Sequence, residues 1–123
     1  MAEPLTRSEE LVLIRTVISL LKNWSANDGE ARTILNLSPT TYAEWRRNNV
    51  GYVSSEQVYR STLLLQIHAA LRMRFSNASR AAGWMNRPND IFSGRTPLAL
   101  IAGGELSSLE RLLAYLAADL SPW

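Results

Sequence analysis

The chain has 123 residues, 46% of them hydrophobic, and a formal net charge of +2, which fits one compact globular domain or two small subdomains. It contains no cysteine, so disulfides and thiolate metal sites are excluded, and no apolar run approaches the roughly 18 residues of a membrane span. The N-terminus lacks the charged-then-apolar order of a signal peptide, so we expect a cytoplasmic protein that does not bind a membrane.

Positive charge is concentrated in the middle third of the chain. Residues 38–80 carry six arginines against Glu44 and Glu56, whereas the flanking thirds are close to neutral. Such a local excess predicts either an anionic partner or a solvated arginine-rich helix face.

The first predicted helix covers the segment SEELVLIRTVISLLKNW, in which apolar residues recur at three- and four-residue steps. Ser8 is the expected N-cap. Val12, Leu13 and Leu20 fall outside the main apolar stripe, so we expect part of this surface to lie between subunits of a homodimer.

Two short helices joined by a tight break are predicted next, and they form a helix-turn-helix candidate at residues 28–48. Asn27 and Glu30 have capping-box spacing, and Ser38 is the expected N-cap with Pro39 in the first helical position. The motif requires buried residues in the turn and in the second helix, and the candidates are Leu37, Tyr42 and Trp45.

Side chains that suit contacts to phosphates and base edges would then face outward. The DNA-binding candidates are Thr40, Thr41, Arg46 and Arg47. Two departures favour the alternative of a helical hairpin that has lost DNA binding: Asn36 stands where many such motifs have glycine, and Arg32 stands where a small residue usually packs.

A long helix from about Ser54 to Phe75 is apolar on much of its circumference, which predicts a central position with neighbours on two sides. His68 shares its apolar face, and a packing role is favoured over a catalytic one. A short helix capped by Asn77 follows.

The segment GWMNRPNDIFSGRTPLALIAGGE, residues 83–105, neither runs as one helix nor alternates like a strand. Gly94 permits a positive φ, Asn89 can bond its own loop backbone, and Thr96-Pro97 starts a helix that stops at Gly103-Gly104. Trp84 and Phe92 are anchors that either fold under the loop or contact a partner.

A final helix is predicted from Ser107, with Glu110 completing a capping box. Pro122 ends it, so Trp123 either folds back on the protein or enters a partner's pocket. The predicted fold is all-α: a compact bundle of six to seven helices, with an N-terminal helix-turn-helix-like region at 1–53 and a second region at 54–123.

The segments STLLLQIHAALRMRF, residues 61–75, and PNDIFSGRTPLALIAGG, residues 88–104, resemble the Xre/MbcA/ParS-like antitoxins. The resemblance covers roughly residues 30–123. It implies an N-terminal Xre-type helical region and a C-terminal toxin-binding domain whose partner is a RES-domain toxin, an enzyme that resembles ADP-ribosyltransferases and uses NAD.

From this resemblance and the loop chemistry we expect an antitoxin that blocks the toxin's active site and also represses its own operon by binding operator DNA. The expected toxin-binding residues are Trp84, Asn89, Phe92, Gly94, Arg95, Pro97, Leu98 and Trp123. No nucleophile, metal-ligand cluster or phosphate loop is recognisable, so neither an enzyme nor a cofactor is expected. The alternatives are a stand-alone helix-turn-helix regulator and a structural adaptor.

Overall fold

The computed structural model describes residues 4–120, and their side chains as far as residue 118. This part of the chain folds into seven α-helices without a strand, as predicted. The helices are α1 Arg7–Asn23, α2 Asp28–Ile34, α3 Pro39–Arg46, α4 Ser55–Arg74, α5 Ala78–Met85, α6 Pro97–Ala102 and α7 Leu106–Leu120, with a 3-10 turn at Asp90–Phe92. None of the described helices is long and apolar enough to cross a membrane.

Side-chain caps begin most of these helices, because the first N–H groups of a helix have no partner within it. The capping box of Asn27 with Glu30 and the Ser38-Pro39 start are confirmed. Ser54, Asn77 and Thr96 cap α4, α5 and α6. These short-range signals were all readable from the sequence.

Two predicted caps are wrong. Helix α1 begins at Arg7, one residue before Ser8, because Thr6 and Glu9 form the capping box. Helix α7 begins at Leu106, so Ser107 lies inside its first turn. Glu110 does not close a box there; its carboxylate accepts a 2.7 Å hydrogen bond from the hydroxyl of Tyr59 on α4.

Helix α4 occupies the centre of the bundle, as predicted, and packs against α7 on one side and α1 on another. Leu64, Ile67 and Leu71 of α4 are fully buried. The core is one continuous cluster that includes Ile14 and Trp45 from the N-terminal region and Leu112 from α7. The two regions therefore share a core, and the chain has a single hydrophobic centre.

The wide burial of α1 corrects one premise of the homodimer prediction. Leu13 and Leu20, which lie outside the main stripe, are 8% and 7% exposed and belong to the core. Because α1 contacts α2, α3 and α4, its buried arc is broader than that of a helix with one neighbour. Val12, at 63% exposed, remains on the surface.

Candidate functional site

The irregular loop between α5 and α6 is held in shape by Asn89. Its backbone N–H donates to the carbonyl of Arg95 at 3.1 Å, and its carbonyl accepts from the amides of Phe92 and Gly94 at 3.0 Å. Its side-chain oxygen accepts from the amide of Ile91 at 3.1 Å. The prediction that Asn89 bonds its own loop backbone is therefore confirmed, and the loop is closed by four hydrogen bonds around one residue.

Two consecutive residues with positive φ turn the chain at the end of this loop. Gly94 has φ of +80°, as expected, and Ser93 precedes it at +59°. Side chains other than glycine, asparagine and aspartate rarely adopt this region. The positive φ of Ser93 was not predicted, because a serine in the sequence does not indicate this conformation.

Three of the expected toxin-binding residues lie in the core. Phe92 is 1% exposed under the loop, and its ring meets that of Tyr115 on α7 edge-on, with centroids 5.5 Å apart. Pro97 and Leu98 are buried at the start of α6. These three residues pack between the loop and the rest of the protein. Asn89 is half-buried, and Gly94 and Arg95 are exposed.

Trp84 is half-buried between two helices. Its ring stacks on Tyr115 with centroids 6.4 Å apart, and the guanidinium of Arg74 lies 5.6 Å from its centroid. Tyr115 thus contacts both aromatic anchors of the loop. The sequence did not single out Tyr115, although it lies three residues after the buried Leu112 on α7 and so shares that side of the helix.

Two further surface residues complete this region. Ile91 at the tip of the loop is 52% exposed. Arg111 on α7 has its guanidinium 5.7 Å from the centroid of Phe92 and donates to the carbonyl of Ile91 at 3.4 Å. Both were missed from the sequence, because only the fold brings α7 against the loop. Trp123, the remaining expected residue, lies outside the described residues.

The predicted helix-turn-helix is formed by α2 and α3. Leu37, Tyr42 and Trp45 are all buried, as the motif requires. Burial, and then the nearby Asp28 carboxylate, raise the pKa of the Tyr42 hydroxyl above its ordinary value.

The two departures in the turn have structural explanations. Asn36 adopts φ of +56°, the conformation that glycine usually supplies, and asparagine tolerates it. Its side-chain amide donates to Glu56 on α4 at 2.9 Å. Arg32 reaches across the turn and donates to the carbonyl of Leu37 at 3.0 Å. The turn is therefore intact without a glycine or a small packing residue.

The DNA-binding candidates lie on α3 and at its C-cap, Arg47, but both arginines already have acidic partners. Arg46 donates to the carboxylate of Asp28 at 2.8 Å, and Arg47 forms an ion pair with Glu44. Hydrogen bonds from Asn49 and then Arg47 lower the pKa of Glu44.

The two threonines differ in exposure. Thr40 is exposed, whereas Thr41 is half-buried and its hydroxyl accepts a 3.0 Å hydrogen bond from Ser38.

One arginine of the positive segment is not on the surface at all. Arg60 on α4 is 5% exposed and donates to the carbonyls of Ile34 at 3.0 Å and Gly104 at 2.8 Å. Its Nε donates to Glu56 at 2.8 Å, and hydrogen bonds from Arg60 and Asn36 lower the pKa of that carboxyl. The arginine-rich composition of residues 38–80 therefore overstates the free positive charge of this region.

His68 is half-buried on α4 beside α1, where burial and the charge of Arg72 lower its pKa. Within residues 4–118 no group of three or more histidine, aspartate or glutamate side chains is arranged to hold a metal ion.

Comparison with known proteins gives two matches. The model of the antitoxin Xre/MbcA/ParS C-terminal toxin-binding domain matches residues 70–119, which contain the last turn of α4, all of α5, the loop, α6 and most of α7. An uncharacterized protein, y4oB, of Sinorhizobium fredii (strain NBRC 101917 / NGR234) is 30% identical over 92 residues, which cover 75% of this chain and 70% of that protein.

The chain belongs to the Xre/MbcA/ParS antitoxin family. The family domain supports an antitoxin role in a toxin-antitoxin pair, with a toxin as the binding partner. The resemblance noted in the sequence is thereby confirmed. In this Xre/MbcA/ParS antitoxin, the matched segment contains every contact of the loop with α7 and leaves out α2 and α3.

Proposed function

We propose that this antitoxin neutralises a RES-domain toxin that uses NAD, by binding the toxin directly and covering its active site. The observation that carries the proposal is the match of residues 70–119 to a toxin-binding domain, together with the surface that this segment presents. Ile91 and Arg95 are exposed on the loop, and Trp84 and Tyr115 are half-exposed beside it.

The surface has the properties of a protein-binding site. Rigid aromatic and arginine side chains dominate the binding energy of interfaces, because they bury much area with little loss of conformational freedom. The hydrogen bonds around Asn89 fix the loop before binding, so little ordering entropy remains to be lost. The exposed guanidinium of Arg95 is our candidate for a charged contact with the toxin.

Co-expression of this chain with a candidate RES-domain toxin tests the proposal. We expect the antitoxin to restore growth and cellular NAD, and to co-purify with the toxin. Toxicity that persists at full antitoxin expression, with no complex by size-exclusion chromatography, would overturn the proposed function.

Two variants separate the candidate contacts within this assay. Deleting residues 121–123 removes Trp123, and Arg95→Gln removes the loop charge. Arg46→Gln, on α3, is the matched control for loss of one exposed arginine. If the shortened chain keeps its helicity and melting temperature and still neutralises fully, the tail is not required and the loop carries the inhibition.

We further propose that residues 1–53 bind operator DNA and that residues 54–123 bind the toxin. The buried Leu37, Tyr42 and Trp45 of an intact helix-turn-helix support the first part. The division is one of function, because both regions share one core. Fluorescence anisotropy with the promoter region, alone and with toxin, tests it; absence of binding in both cases would retire the repressor role.

A stand-alone helix-turn-helix regulator remains the alternative function. It would bind its operator with an affinity that falls steeply with salt, and it would bind no RES-domain protein. The co-expression assay distinguishes the two, since only the antitoxin restores growth.

A homodimer is proposed through the exposed apolar side of α1. Leu5 and Val12 lie there beside Leu65 of α4, around a shallow apolar depression. Analytical ultracentrifugation of the free chain should show a dimer that Val12→Glu dissociates, whereas a wild-type monomer at all concentrations would contradict it.

A further inference from the structure

A second feature of the toxin-binding segment is a surface depression between the loop and the start of α7. It has a volume of about 510 Å³, and its lining includes Arg95, Gly103, Glu105, Ser107, Ser108 and Arg111. We refer to it as the Arg95–Arg111 depression. Two positive side chains from different elements thus face one small concave space.

Both arginines contact the same buried residue, Phe92: Arg95 through the backbone and Arg111 through the ring. The backbone N–H of Arg95 donates to the carbonyl of Phe92 at 3.2 Å, and the guanidinium of Arg111 lies over the Phe92 ring at 5.7 Å. Because Phe92 is 1% exposed, this support is fixed within the core. The backbone of Arg95 and the guanidinium of Arg111 are therefore both anchored on Phe92 before any partner binds.

The two arginines are largely unused by the fold. The guanidinium of Arg95 makes no hydrogen bond or ion pair within residues 4–118, and that of Arg111 makes only the 3.4 Å contact to the Ile91 carbonyl and the ring contact. Arg46, Arg47 and Arg60 each have a carboxylate partner instead. Within residues 4–118 neither guanidinium is paired with a carboxylate, so both can accept one from another molecule.

From this arrangement we infer that the Arg95–Arg111 depression receives an aspartate or glutamate side chain from the surface of the toxin. The inference rests on the proposed function and specifies the chemistry of one contact in it. Guanidinium groups bind carboxylates through paired N–H donors, and the hydroxyls of Ser107 and Ser108 offer further donors.

The charge of the lining favours a carboxylate over a nucleotide phosphate. Glu105 is also part of the lining, so the two arginines and this glutamate leave a single net positive charge. One carboxylate neutralises that charge, whereas the two negative charges of a dinucleotide pyrophosphate would leave a net negative charge beside Glu105. Ile91 beside the depression is 52% exposed, which fits an apolar residue next to the acid on a protein surface.

Affinity for the toxin, measured by isothermal titration calorimetry without NAD, tests the inference. Arg95→Gln should weaken binding by about 30-fold, the loss typical of truncating one partner of a desolvated charge pair. Arg95→Lys should recover only part of it, because an ammonium group cannot reproduce the paired donors. Glu105→Gln should act in the opposite direction and tighten binding.

Arg87→Gln is the matched control, since Arg87 is an exposed arginine of the same segment outside the lining of the depression. It should leave the affinity within about twofold. Arg111→Gln should weaken binding like Arg95→Gln, with the melting temperature measured because Arg111 also contacts Phe92. Equal losses for Arg87→Gln and Arg95→Gln would overturn the inference, since they would indicate a general charge effect.

A charge swap then identifies the acid. Arg95→Glu should abolish binding, and one aspartate- or glutamate-to-lysine change on the toxin should restore it. If Arg95→Gln weakens the complex only when NAD is present, the arginines contact the nucleotide and the inference is wrong. Failure of the wild-type chain to bind the toxin at all would instead overturn the proposed function, and the inference with it.

Discussion

The helix-turn-helix and the loop with α7 use arginine in opposite ways. On α3, Arg46 and Arg47 are paired with Asp28 and Glu44 of the same region. On the loop and α7, Arg95 and Arg111 face a depression with no carboxylate bonded to either within the described residues. A count of charges along the chain places the positive excess in residues 38–80. Arg95 and Arg111, the arginines open to a partner, lie outside that segment.

The difference shows that the placement of acidic neighbours decides which cations are available. Exposed ion pairs contribute only about 0–1 kcal/mol, so those on α3 can open when a polyanion competes for the arginines. Breaking such an ion pair costs little free energy, but this cost is subtracted from the free energy gained by each arginine–phosphate contact. In the Arg95–Arg111 depression a partner has no ion pair of Arg95 or Arg111 to break within residues 4–118. Glu105 in the lining would repel an acidic partner.

The largest expected effect comes from Arg60, which joins the two regions. Arg60→Ala leaves the carbonyls of Ile34 and Gly104 without their donor, so we expect a loss of about 3 kcal/mol in the free energy of unfolding, measured with urea. Arg46→Ala, which removes one exposed pair, should cost less than about 1 kcal/mol. Equal losses of unfolding free energy in the two variants would mean that the buried Arg60 stabilises the protein no more than the exposed Arg46.

Gly104→Ala should be the next most damaging change. Gly104 has φ of +83°, and an added Cβ would lie 2.6 Å from Cγ2 and 2.8 Å from the carbonyl oxygen of Thr33 on α2. We expect a loss of about 2 kcal/mol, from backbone strain and from separation of the loop end from the helix-turn-helix.

Gly83→Ala is its control, because Gly83 lies in α5 with open space at the Cβ position. Replacing a helical glycine by alanine should stabilise by about 0.5–1 kcal/mol. Thermal unfolding followed by circular dichroism measures both variants. A neutral Gly104→Ala would show that the two regions tolerate movement at their junction.

Removing the acidic partners of Arg46 and Arg47 tests whether these arginines can contact DNA. Asp28→Asn and Glu44→Gln each free one arginine, so the double variant should bind promoter DNA more tightly at low salt. The slope of log K against log salt should steepen by about 0.9 for each additional phosphate contact. Anisotropy titrations at several salt concentrations measure this. An unchanged slope would indicate that Arg46 and Arg47 do not reach phosphates. The affinity of the double variant for the toxin should equal that of the wild-type chain.

The smallest expected effect is a pH dependence from His68, the single histidine of the chain. Its pKa is lowered in the folded protein, mainly by burial and then by Arg72. The unfolded chain therefore takes up the proton first as the pH falls below about 6.5, so stability declines between pH 7 and pH 5.

His68→Gln should flatten stability over this pH window. Glu44 and Glu56 have lowered pKa values, so their contribution is present above pH 4.5 and is lost only at more acidic pH. Urea unfolding at several pH values separates the two ranges. A slope between pH 7 and pH 5 that persists in His68→Gln would assign it to other groups.

The sequence predicted the local structure well, because caps and apolar periodicity act within a few residues. Asn27, Ser38 and Thr96 all cap where their spacing indicated. The errors at Ser8 and Ser107 arose where a neighbouring residue one or two positions away began the helix instead.

The site was predicted only in part, because its surface depends on contacts between distant segments. Asn89 and Gly94 have local roles that a loop sequence can reveal. Arg111 and Tyr115 become part of the surface only when α7 packs under the loop, and Arg60 becomes buried only when Ile34 and Gly104 converge on it. No spacing along the chain encodes these approaches directly.

The position of Arg60 has a consequence for how long the antitoxin survives in a cell. Because one guanidinium ties the end of α2 to the turn before α7, neither region can open fully without releasing the other. We therefore expect a protease that needs an unfolded segment at this junction to act on the population in which both regions are open. Toxin binding lowers that population further by mass action, so the free and the bound antitoxin should differ in lifetime more than in shape.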